Sequence, residues 1–155
     1  MSATNRLAVS GTVQASPAEV FRIVTDPQMQ VKIDGSGMLV AAPDARRLEA
    51  VGDTFVMDMD RESLGDIPMG KYTVLNIVTQ IVPDTLLEWN VGSAEHGPYG
   101  HVYGWEITAV GTDETEVTNY CDWTHIPDEA RDRFPIVPPA MMEKSVENLV
   151  TLLAP

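Results

Sequence analysis

Basic residues are scarce in this sequence. Ten Lys and Arg stand against 23 Asp and Glu, giving a formal net charge of −13 and a pI near 4.4. Binding along phosphate backbones needs basic side chains that displace counterions, so general nucleic-acid binding is excluded. Anionic membrane surfaces are disfavoured on the same ground. Cysteine is nearly missing: Cys121 alone rules out an intrachain disulfide and suits a reducing compartment. No apolar run approaches the roughly 18 residues of a membrane span, and Met1–Gly11 holds none of signal-peptide length. A soluble cytoplasmic protein without membrane insertion is therefore expected. Catalytic signatures are missing too. There is no Gly-x-Ser-x-Gly elbow, phosphate loop, His-Glu-x-x-His pair or dinucleotide fingerprint, so no motif calls for a cofactor.

What is present is a globular composition, 44% hydrophobic and 21% charged over 155 residues, expected to form one domain over 1–155. The charge is uneven. Residues 1–50 carry five basic groups (Arg6, Arg22, Lys32, Arg46, Arg47) and five acidic ones, and no Lys or Arg occurs between Lys71 and Arg131. Arg6–Ala15 alternates, with Leu7, Val9 and Val13 on one side, and predicts a strand. Ser16-Pro17-Ala18-Glu19 then reads as a helix start with a capping box, leading to a short helix that Asp26-Pro27 stops. A second short helix is expected over Gln28–Ile33. Period-two segments follow at Phe55–Asp60, Gly70–Val82, Leu86–Gly92, His101–Val110 and Thr115–His125, with a Gly-rich loop over Gly92–Gly100. From Pro138-Pro139 to Leu153, Met142, Val146, Leu149, Val150 and Leu153 form one helical stripe, widened by Met141 and Leu152.

This order of elements resembles the helix-grip layout of the polyketide cyclase and lipid-transfer (SRPBCC, START-like) superfamily. Val13-Gln-Ala-Ser-Pro-Ala-Glu-Val-Phe21 resembles its strand-to-helix junction. Leu86-Leu-Glu-Trp89 and Gly111–Val117 resemble its later strands and hairpin. The resemblance implies an α+β fold: a curved antiparallel sheet wrapped around a long C-terminal helix, with two short helices after the first strand. It also implies a cavity for a small apolar or aromatic molecule between sheet and helix.

Strand alternation selects the lining independently of that resemblance. Trp89, Tyr103, Trp105, Asn119, Cys121 and Trp123 face inward. So do Met57 and Met59, while Met141 and Met142 border the space from the helix. Glu88, Glu106, Glu116, Thr118, Tyr120 and Asp122 face out. The hairpin centred on Gly111–Asp113 sets a register, to within two residues, that puts Trp105 by Cys121, Tyr103 by Trp123, and His101 by His125. Two imidazoles would then meet near the Gly92–Gly100 loop. A pair without a third ligand makes a metal site a weak reading, and none is expected.

Three functions are compatible with this layout. The first is binding of a small hydrophobic or aromatic ligand, with Asn119 or His125 orienting it and loops near Asp60–Met69 and Ala94–Tyr99 gating the mouth. The second is a cyclase-like enzyme in which Tyr103 with His101 or His125 handles protons. No arginine is placed toward the interior, which counts against this. The third is an interaction module using the acidic outer face. An interior nearly free of formal charge predicts a mostly neutral ligand, and homodimerisation is left open.

Overall fold

The computed structural model describes residues 5–43 and 45–155. Its first strand, β1 (Arg6–Val13), runs into helix α1 (Pro17–Val24), and the junction forms as read: Ser16 Oγ accepts from the Glu19 amide at 3.3 Å, and Pro17 stands at the first turn. Helix α2 (Pro27–Ile33) begins at once, because Asp26 caps the Gln28 amide at 3.0 Å. Three sheet-edge residues, β2 (Leu39–Ala41), form a strand too short for period-two reading to reveal. The meander continues through β3 (Thr54–Asp60), β4 (Lys71–Val82), β5 (Leu86–Ser93), β6 (Gly97–Gly111) and β7 (Glu114–Asp122), and helix α3 (Pro139–Leu152) closes the chain. Short 3-10 turns occupy Arg61–Leu64 and Asp128–Arg133.

All seven strands join in one antiparallel sheet, ordered β1-β7-β6-β5-β4-β3-β2. The sheet curls into a half-barrel gripping α3, and the fold is the α+β helix grip. On α3 the apolar stripe packs inward: Met142, Val146 and Leu149 are buried, whereas Leu152, expected to widen the stripe, is 43% exposed. Val13, Val20, Val24, Val78, Leu87, Val117 and Leu149 form the fully buried centre.

Three details depart from expectation. The expected Gly92–Gly100 loop is mostly strand, since β5 runs through Ser93 and β6 starts at Gly97. Gly92 allows this because a Cβ there would strike the Gly97 and Pro98 backbone, while Gly97 turns with φ 81°. The β6–β7 register is also shifted by two residues, so Tyr103 pairs with Cys121 and Trp105 with Asn119. The turn is tighter than assumed: Gly111 already pairs with Glu114, Asp113 takes φ 52°, and an irregularity between Ala109 and Gly111 takes up the slack. Finally, β7 stops at Asp122, whose Oδ1 accepts from the Thr124 amide at 2.9 Å and turns the chain out of the sheet.

The convex face is less bare than the charge count suggests. Tyr120, expected to face solvent, is 2% exposed. Its ring lies over Gly104, the Arg6 guanidinium sits 3.9 Å above it, and its hydroxyl donates to Glu88 Oε2 at 2.6 Å. Thr79 and Gln80 also donate to Glu88, and Arg6 pairs with Glu106 at 3.0 Å. These acids are tied into local contacts.

Candidate functional site

The concave face of the sheet does not close completely on α3. A cavity of about 340 Å³ remains between them. Strand pairing explains its walls. Met57 and Met59 on β3 stand opposite Val74 and Tyr72 on β4, and Asn76 stands opposite both Phe55 and Val91. Trp89 and Tyr103 pair across β5 and β6, their rings stacked at 6.3 Å, and Phe55 meets Trp89 edge-on at 5.9 Å. Met142 and Ser145 enter from α3, and Ile33 and Met38 from the α2–β2 side.

Of the residues selected by alternation, Met57, Met59, Trp89, Tyr103, Trp105, Asn119 and Met142 line this cavity, as does His101. Cys121, Trp123 and Met141 are not among its lining residues. Cys121 and Trp123 instead join Ile126 and Met142 in a separate buried cluster against Phe134. That cluster exists because the segment after β7 folds back across the sheet end, which alternation along a strand cannot foresee. Asn119, expected to orient a ligand, spends its amide on Gly104 O at 3.0 Å.

The two histidines do not meet. His101 is buried, while His125 lies beyond the end of β7 and is exposed. The His125 backbone packs against the strand at Gly100, where a Cβ would lie 2.5 Å from its carbonyl oxygen. His101 sits instead in an aromatic cage: Phe134 at 4.8 Å, Tyr103 at 5.7 Å and Tyr99 stacked at 6.4 Å. Its Nδ1 has no hydrogen-bond partner among the described residues. Burial in that cage lowers its pKa to about 4, so the ring is neutral at pH 7. Desolvation likewise raises the Tyr103 phenol well above its usual range and pushes the Cys121 thiol up to about 12. None of these groups is poised to exchange protons near neutrality. Among the described residues, no three His, Cys, Asp or Glu side chains converge as a metal site.

One lining residue overturns the expectation that no arginine faces the interior. Arg61, in the 3-10 turn after β3, is only 8% exposed and lines the cavity. Its Nε and Nη2 donate to the two oxygens of Asp66 at 2.9 and 2.8 Å. The pairing raises the pKa of Arg61 and holds that of Asp66 down to about 2, hydrogen bonding being the largest cause for both. Asp34 also borders the space, but Ser36 N, Ser36 Oγ and Leu39 N all donate to it. Arg61 lies one residue beyond the strand pattern, which ends at Asp60, so alternation assigns it no face. The turn that follows directs its side chain back over the sheet.

Fold and cavity together define a helix-grip protein with an apolar interior space. No family model matches the chain. It is 31% identical over 118 residues to the uncharacterized protein Rv0088 of Mycobacterium tuberculosis, a match covering 76% of this chain and 47% of that protein. The chain thus spans about half the length of the curated relatives it matches. Among solved structures it resembles Ms6760 of Mycobacterium smegmatis (TM-score 0.69, 15% identity, 97% and 91% of the two chains covered). It also resembles CV1439 of Chromobacterium violaceum (TM-score 0.68, 17% identity, 97% and 98% covered). A third similar structure is truncated norcoclaurine synthase from Thalictrum flavum (TM-score 0.62, 12% identity, 97% and 93% covered). At such identities these likenesses establish the fold alone.

Proposed function

We propose that the chain is a START-like binding protein whose cavity holds a small, mainly apolar molecule with an aromatic portion. The observation that carries this reading is the cavity itself: about 340 Å³, within the size range of small-molecule sites. Protein interiors normally fill such space, because unfilled walls forgo dispersion contacts. Trp89, Tyr103 and Trp105 offer faces for stacking, and Met57, Met59 and Met142 offer flexible walls that adapt to shape. An acid–base enzyme in the same cavity is less well supported, since His125 lies outside it and burial takes Tyr103 and His101 away from neutral titration.

Nile red, a neutral apolar dye, tests the reading. Its fluorescence is expected to rise and saturate with the wild-type protein. Met59→Trp, which fills space at a partly exposed wall position, is expected to abolish that rise while leaving the circular dichroism unchanged. Dye binding that survives in a folded Met59→Trp variant would place the site elsewhere and overturn the proposal.

A further inference from the structure

Arg61 is a buried cation on a largely apolar wall, and its partner belongs to a different kind of structure. Asp66 opens a four-residue segment, Asp66–Met69, set between two glycines in the left-handed region, Gly65 (φ 66°) and Gly70 (φ 64°). Within the segment the Met69 amide donates internally to Ile67 O at 2.9 Å. The segment is tied to the rest of the fold by the two-pronged contact of Asp66 with Arg61. A hollow lined by Glu62, Gly65, Asp66, Ile67, Pro68 and Gly70 leaves the segment loosely packed. Met69, at its end, lines the cavity yet is 47% exposed, and Tyr99, also lining, is 38% exposed. These two residues mark the mouth.

We propose, resting on the cavity-binding reading above, that Arg61 recognises a carboxylate on the ligand. That carboxylate takes the place of Asp66 and releases the Asp66–Met69 segment from the mouth. The physics is an exchange of anions on one guanidinium. Moving the segment aside removes Asp66, the two-pronged partner of a guanidinium that is 8% exposed with the segment in place, and leaves it only the Tyr72 hydroxyl beside it, which carries no compensating charge. A cation on a largely apolar wall without a counter-charge is a state proteins avoid. A neutral ligand cannot relieve it. An apolar acid can, because a carboxylate matches the guanidinium fork in the same two-pronged geometry. Asp66 remains half-exposed and is readily hydrated once released. Asp34, the other charge at the cavity, does not compete for Arg61, since its three donors are local.

Binding of 2-naphthoate and of its neutral isostere 2-naphthamide, read by quenching of tryptophan fluorescence, tests this. Wild-type protein is expected to bind the acid about tenfold more tightly than the amide, the scale of one charge-assisted pair. Arg61→Gln is expected to bring the two affinities together. Asp66→Asn, which removes the competing carboxylate and leaves the guanidinium, is expected to widen the preference for the acid. Equal binding of acid and amide by the wild type would sink the assignment, as would a preference that survives Arg61→Gln or shrinks in Asp66→Asn. If Arg61→Gln does not fold, the wild-type ratio and Asp66→Asn decide. Nile red separates the two levels. Binding of the dye without acid preference overturns the Arg61 assignment alone, whereas failure of dye, acid and amide together overturns the cavity reading with it.

Discussion

His101 shows how a single residue couples the cavity to pH. Unfolded, its ring titrates near 6.5; folded, within its aromatic cage, near 4. As pH falls from 6.5 toward 4, the unfolded chain takes up the proton first, so stability present at neutral pH is progressively lost. A displacement of that size corresponds to about 3 kcal/mol once the loss is complete. Replacing the ring by phenylalanine is expected to remove that part of the pH dependence. Urea unfolding of wild type and His101→Phe at pH 7.5 and pH 4.5 checks it: the variant should gain on the wild type at the lower pH. An unchanged gap between the two proteins would show that the imidazole is not held neutral. Periodicity placed this residue on the inner face, yet its solitude was not readable, because it depends on where a strand twenty residues later ends.

Among the elements, α3 supplies the clearest contrast between pattern and packing. Its stripe follows from the helical period, and Met142, Val146 and Leu149 occupy the buried side as that period requires. Leu149, with no exposed surface, is expected to lose about 2–5 kcal/mol on truncation to alanine. Leu152, three residues on and substantially exposed, is expected to change stability by less than ~0.5 kcal/mol. Thermal or urea denaturation of the two variants measures the difference, and equal losses would contradict the placement of α3. The strands behave similarly. Their inner and outer sets were legible because alternation is local, but the pairing of β6 with β7 was not. It depends on a turn tighter by one residue and an irregularity between Ala109 and Gly111 that adds one more, so that together they shift the cross-strand partners by two.

On the scale of the whole molecule, a charge of −13 surrounds a cavity with one arginine on its wall. An anionic probe approaching that mouth meets the repulsive field of the surface before it meets Arg61. Salt screens the exposed surface charges within a Debye length of about 10 Å at 0.1 M, but screens a buried guanidinium much less. Association of 2-naphthoate is therefore expected to accelerate as ionic strength rises from low to physiological, while association of Nile red stays constant. Stopped-flow fluorescence checks this, and a naphthoate rate that falls with salt would reverse the argument. By itself the sequence determined the order of elements apart from the three-residue β2, the inward and outward faces of the long strands, the helical stripe and the acidic exterior. All of these rest on period, capping and composition, which act over a few neighbouring residues. Only the tertiary structure decided which inward residues border empty space and which pack solidly, that His125 stands apart from His101, and that Arg61 turns inward to meet Asp66. Those outcomes depend on where strands stop, how a hairpin is registered and how a turn redirects a side chain. A shift of one or two residues there changes every neighbour, and no local pattern constrains it.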